Sequence, residues 1–204
     1  MGRDWKKRRN AFSRKVGTRG SLKKRILIVC EGGKTEPNYL RCFRLSSAVI
    51  EVHGEGYNTV SLVQSAIARR NEAKKNGIEF QEVWCVFDRD SFPPANFNGA
   101  ITLAKREKIK VAYSNEAFEI WYLLHFNFID AALSRQQYSQ MLTGRLGFPY
   151  KKNSESIYEE LLNKQKDAIR NAEKLLQTYN PLDPLKNNPS TTVHLLVNEL
   201  NSHI

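Results

Sequence analysis

Two uninterrupted apolar runs, each closed by acidic residues, constrain this chain most. The first is Arg25-Ile-Leu-Ile-Val-Cys30, followed at once by Glu31-Gly-Gly-Lys-Thr-Glu36. The second is Glu82-Val-Trp-Cys-Val-Phe87, followed at once by Asp88-Arg-Asp90. Apolar runs of this length point to strands covered on both faces, as in a parallel α/β sheet. Parallel strands bring their carboxyl ends to one edge, and ligands bind there. Glu31, Asp88 and Asp90 are therefore expected to converge on one rim. Like charges that close repel unless a cation sits between them. An oxygen-only donor set suits a hard ion, magnesium or manganese.

The rest of the core reads as alternating strands and helices. A helix is expected from Pro37 to about Leu45, with proline in the first turn. Ala48 to Val52 reads as a strand. Asn58 or Thr59 is a suitable N-cap for a helix that stops at Gly77. Ser91-Phe-Pro-Pro-Ala95 reads as a loop, because two prolines in series oppose both helix and ladder. A helix from about Asn98 to Lys108, a short strand Lys110 to Tyr113 and a helix Glu116 to His125 follow. This last helix carries Phe118, Trp121, Tyr122 and His125 along one side. After about residue 130 the strand signal stops, and Arg135–Leu142, Ser156–Leu162, Gln165–Thr178 and Thr191–Leu200 read as helix. The expectation is an α/β fold: a parallel sheet of about four strands, helices on both faces, and a helical C-terminal layer.

Charge is unevenly placed. Residues 1–25 carry eleven Lys and Arg against Asp4 alone, whereas the other 179 residues are nearly balanced. Residues 1–24 are expected to form a basic, flexible arm ahead of a domain over 25–204. A cationic arm binds polyanions by counterion release without reading sequence, so Lys6, Lys7, Arg8, Arg9, Arg14 and Lys15 are candidate nucleic-acid contacts. No run approaches the ~20 apolar residues that span a bilayer, and no secretion signal is present. A membrane partner is not expected. Cys30, Cys42 and Cys85 are too few and scattered for a disulfide framework or a zinc cluster. They read as reduced core thiols of a cytoplasmic protein.

The arrangement of the acids resembles the Toprim domain, which has a glutamate after its first strand and Asp-x-Asp after a later one. Four motifs, in order, are similar to the RloB-like family. They are Val29-Cys-Glu-Gly-Gly-Lys-Thr-Glu-Pro-Asn-Tyr39, Trp84-Cys-Val-Phe-Asp-Arg-Asp90, Ser114-Asn-Glu-Ala-Phe-Glu-Ile-Trp-Tyr-Leu-Leu-His125 and Asn188-Pro-Ser-Thr-Thr-Val193. The resemblance runs from about residue 24 to the C-terminus. It implies a Toprim-like nuclease associated with bacterial restriction loci and phage defence, with a partner protein of such a system as a further expectation.

On this reading Glu31, Asp88 and Asp90 hold the metal, and Glu31 can also serve as general base on a water. Lys34 is a candidate to neutralise a phosphate oxygen in the transition state. Glu36 is either a supporting acid or a helix N-terminal carboxylate that favours the dipole. Ser114, Asn115, Glu119 and His125 are further candidates around the ion, although His125 also suits a core position. Lys151-Lys152 resembles a basic spot of the family and could meet a phosphate backbone. The polar residues around Ser190 and Thr191 are explained as caps of the last helix.

Other functions fit less well. Gly33-Lys-Thr35 lacks the earlier glycine of a phosphate-binding P-loop, since that position is Ile28. Haloacid-dehalogenase-like phosphatases and receiver domains place an acidic pair after the first strand, not the third. The non-enzymatic alternative is a nucleic-acid-binding accessory protein of a restriction or defence system.

Overall fold

The structure is a computed structural model in which residues 23–56, 59–89 and 93–204 are described. The elements run β1 (Lys24–Cys30), α1 (Thr35–Arg41), β2 (Ala48–Gly54), α2 (Thr59–Lys75), β3 (Glu82–Asp88), α3 (Pro94–Arg106), β4 (Lys110–Asn115), α4 (Glu119–Leu124), α5 (Arg135–Leu146), α6 (Ile157–Leu162), α7 (Gln165–Gln177), β5 (Ser190–Thr191) and α8 (Val193–Asn201). They form one sheet in the order β2-β1-β3-β4-β5. The first four strands are parallel and β5 is antiparallel to β4.

The two apolar runs are buried on both sides, as expected. Ile26 through Cys30 have at most 1% of their surface exposed. Alternate residues enter opposite cores, because side chains along a strand alternate in direction. Ile26, Ile28, Trp84 and Val86 pack with residues of α1 and α4 to α8. Leu27, Val29, Cys85 and Phe87 pack with Leu62, Val63, Phe97 and Ala100 from α2 and α3. Each such side chain contributes roughly 1.5–3 kcal/mol relative to exposure. Leu142, Leu161, Leu175 and Leu196, all beyond residue 130, share one core with the sheet residues Ile28 and Val86.

Several boundaries differ from those expected. Helix α3 starts at Pro94, not Asn98. Pro93 takes the extended conformation of an N-cap, and Pro94 fills the first helical position, where its missing N–H leaves nothing unpaired. Helix α4 starts at Glu119 and all six of its residues are buried, so no single stripe describes it. Ser190 and Thr191 form β5, and the Thr191 hydroxyl donates to the Tyr113 carbonyl at 3.0 Å. Thr191 also meets the start of α8, its Oγ1 accepting from the Val193 N–H at 3.2 Å, whereas the Ser190 hydroxyl donates to the Asn187 carbonyl at 2.7 Å. Helix α5 is well signalled at both ends. Ser134 and Gln137 form a capping box, worth ~1 kcal/mol, and Gly147 ends the helix at φ 79°.

At the amino ends of β1, β3 and β4, Lys24 lies 2.7 Å from Glu82 and 2.6 Å from Glu199, and Lys110 lies 2.9 Å from Glu82. This network closes the edge of the sheet opposite the acids.

Candidate functional site

The strand order sets the site. The chain passes from β1 to β2 on one side, then returns to β3 on the other. The carboxyl ends of β1 and β3 therefore flank the topological switch point of the sheet, where open α/β folds bind ligands. Glu31 follows β1 and Asp88 ends β3. The Glu31 N–H donates to the Val86 carbonyl at 2.8 Å, extending the ladder by one step. The Glu31 carboxylate oxygen Oε2 then accepts from the Asp88 N–H at 3.0 Å.

These two acids line a cleft of about 180 Å3 together with Gly32, Thr35, Glu36, Phe118, Glu119, Arg135 and Lys152. Four carboxylates and two cations thus share one small space. Glu36 is 5% exposed and Glu119 is 3% exposed. Burial raises the Glu36 carboxyl, and nearby Glu119 raises it further, against its own and the Gly32 backbone N–H groups and Lys152. Burial also pushes the Asp88 carboxyl well above the usual range. Glu36 and Glu119 add to that shift, Arg135 opposes it, and Glu31 adds a smaller push. Among the described residues, Glu36 Oε2 and Asp88 Oδ1 are buried with no hydrogen-bond partner. Such atoms cost free energy unless a ligand or a proton satisfies them.

Both cations line the cleft. A guanidinium nitrogen of Arg135 lies 3.9 Å from Asp88 Oδ2, and its Nε lies 4.0 Å from Glu116. Lys152 Nζ lies 3.7 Å from Glu119 Oε1, and the Tyr150 hydroxyl donates to the same oxygen at 3.3 Å. A Cβ on Gly32 would collide with the Glu36 carboxylate, so that side chain would have to shift.

The structure brings Glu31, Asp88, Glu36 and Glu119 together, with Lys152 beside them. Asp90 and the arm residues Lys6, Lys7, Arg8, Arg9, Arg14 and Lys15 lie outside the described residues. Lys34 is exposed at the N-cap of α1 and does not line the cleft. Ser114 is buried and its hydroxyl meets Thr191 at 3.1 Å. The Asn115 amide donates to the carbonyls of Pro184 and Leu185, away from the cleft. His125 is a core residue. Its Nδ1 lies 2.9 Å from the Trp121 carbonyl, and burial pushes its pKa down to about 4, keeping it neutral. Lys151 lines a neighbouring cavity instead.

Arg135 was not expected from sequence. One signal for it exists. Ser134 marks a helix start, so Arg135 falls in the first turn, where the helix dipole disfavours a cation. A cation placed there needs acids from elsewhere, and Asp88 and Glu116 supply them.

The donor set fits a hard divalent ion in chemistry: every donor is a carboxylate oxygen and two buried ones lack partners. Among the described residues, however, no three acidic, His or Cys side chains are grouped closely enough to hold a metal ion. Any ion here would draw on Glu31 and Asp88 and would need Asp90, water or substrate oxygens as well.

Neither a search of curated proteins nor one of solved structures gave a match. Residues 26–200 match the family model described as RloB-like protein. That match takes in both strand-end acids and every cleft residue, and the chain belongs to the RloB-like protein family.

Proposed function

We propose that this chain is a metal-dependent phosphodiesterase that cleaves nucleic acid, acting in the bacterial cytoplasm as part of phage defence. The observation that carries the reading is the pairing of Glu31 and Asp88 at the β1/β3 switch point, in a cleft with two further buried acids. The defence role rests on the family resemblance alone. A bound magnesium or manganese ion would supply an activated water and stabilise charge on the phosphate.

The chain's own groups have definable roles. Glu31 and Asp88, with Asp90, would hold the ion. The Asp88 N–H fixes the direction of the Glu31 carboxylate. Without a cation, Asp88 keeps a proton to a higher pH than an ordinary aspartate, so loading the ion releases it. Arg135 and Lys152 are placed to meet phosphate oxygens with charge-assisted hydrogen bonds. Incubating the purified protein with DNA and RNA, with magnesium, with manganese or with chelator, tests the reading. Metal-dependent cleavage that Glu31→Gln abolishes is expected. Failure to cleave any of these substrates sinks it.

A second reading rests on the eleven Lys and Arg among residues 1–25, a charge that suits polyanion binding without catalysis. A nucleic-acid-binding accessory protein would bind the same substrates in magnesium and leave them intact.

A further inference from the structure

Beside the acidic cleft lies a second cavity of about 470 Å3, within the size range of ligand sites. Leu146, Phe148, Pro149, Tyr150, Lys151 and Asn153 line it. Phe148 is a large aromatic left 39% exposed. The two spaces share a wall. Tyr150 lines the cavity while its hydroxyl reaches Glu119 in the cleft, and Lys152, next to Lys151, lines the cleft.

The segment carrying these residues is held by its backbone. The Thr35 hydroxyl donates to the Lys152 carbonyl at 2.8 Å, and the Asn38 amide donates to the Asn153 carbonyl at 3.3 Å. The Tyr150 N–H donates to the Thr143 hydroxyl at 3.0 Å, and its ring packs edge-on against Tyr122. The wall is therefore fixed to α1, α4 and α5, while Phe148, Lys151 and Asn153 remain exposed.

We infer that this cavity receives one unpaired nucleobase of a single strand whose adjoining phosphate lies in the acidic cleft. The inference rests on the proposed action on nucleic acid and narrows its substrate to strands with an unpaired base. An aromatic face beside lysines is the combination that binds single strands, because every base has a π-face and every nucleotide a phosphate. The Asn153 amide can pair with a base edge, and Lys151 can meet the backbone. A duplex keeps its bases stacked inward and cannot fill the cavity without turning one out.

The test measures affinity in chelator, so that no strand is cut. The probes are a short single strand, the same strand with abasic residues, and the matching duplex. Wild type should prefer the normal single strand over the abasic one. Phe148→Ala should lose roughly 5- to 150-fold on the normal single strand, the equivalent of one base–aromatic stack at ~1–3 kcal/mol. It should change little on the abasic strand or the duplex. Phe148→Trp should retain binding. Equal affinity of wild type for normal and abasic strands, an equal loss on the duplex, or no loss at all overturns the cavity's role. If wild type cleaves while Phe148→Ala binds as wild type does, the cavity fails and the nuclease reading stands. If the Phe148 effect appears and magnesium supports no cleavage, the cavity stands and the nuclease reading fails.

Discussion

The Asp88 backbone N–H donates to Glu31 Oε2 at 3.0 Å, so one acid is aimed by the main chain of the other. The bond needs no side chain from Asp88. A substitution at Asp88 can therefore remove its charge while Glu31 stays in place.

Asp88→Asn should abolish metal-dependent cleavage and leave nucleic-acid affinity nearly intact, since lysines and arginines supply most of that term. The metal-free variant should be at least as stable as wild type at pH 7. The sign follows from the raised carboxyl. Folding favours protonated Asp88, so its stabilising contribution is complete below the unfolded value of ~3.9 and is lost as pH rises through the folded value. The advantage of Asp88→Asn should be largest at high pH and vanish below ~4. Denaturant melts in chelator across that range check it, and an advantage that grows as pH falls refutes it.

Gly32→Ala should destabilise by ~1–3 kcal/mol, the usual cost of forced overpacking, because its Cβ displaces the buried Glu36 carboxylate. Gly33→Ala meets nothing within 4 Å and should stay within ~0.5 kcal/mol of wild type. In the double variant Gly32→Ala, Glu36→Ala, the cost should fall short of the sum of the singles. Urea melts of the four proteins decide this, and strict additivity would show that the two residues do not collide.

Glu82→Gln should cost about 1 kcal/mol at pH 7, the upper end for partly exposed ion pairs. Burial raises the Glu82 carboxyl, but hydrogen bonds from Lys24, Lys110 and Trp84 outweigh it and hold the pKa down at about 2. The contribution is present above the unfolded value of ~4.3 and fades as pH falls toward about 2. The gap between variant and wild type should close over that interval. A gap independent of pH would assign the loss to packing.

Removing residues 1–22 deletes eight basic side chains and Asp4. Nucleic-acid affinity should fall and its logarithmic salt dependence should flatten, because fewer counterions are released. An unchanged slope in titrations at several salt concentrations would show that the arm is not the electrostatic contact.

The acids at the ends of β1 and β3 were legible because only doubly covered strands tolerate unbroken apolar runs, and their parallel direction follows from the intervening helices. Glu119 was legible in the family-like stretch of its helix, but Arg135 was not expected. Its place depends on which helix starts face the rim, a non-local property that periodicity does not encode. Glu36 was visible as an acid in a first turn, but the cleft it shares with Phe118 and Glu119 is assembled from residues far along the chain. The two-residue strand β5 is too short to show a period of two, so only the contact of Thr191 with the start of α8 was legible. Proline pairs read as breakers hid the start of α3, where Pro94 is tolerated because the first turn needs no donor.

Strand β1 enters the sheet at the edge closed by Lys24, Glu82, Lys110 and Glu199, and leaves it at the acidic cleft. Seven residues of strand separate the two edges by roughly 20 Å, the span of about six phosphates along one strand of B-DNA. Residues 1–22, if fully extended, reach roughly 70 Å from that far edge. The point where residues 1–22 join the sheet and the acidic cleft therefore lie at opposite edges. On the proposed reading, a strand long enough to span both edges would be held more tightly than the pieces cut from it.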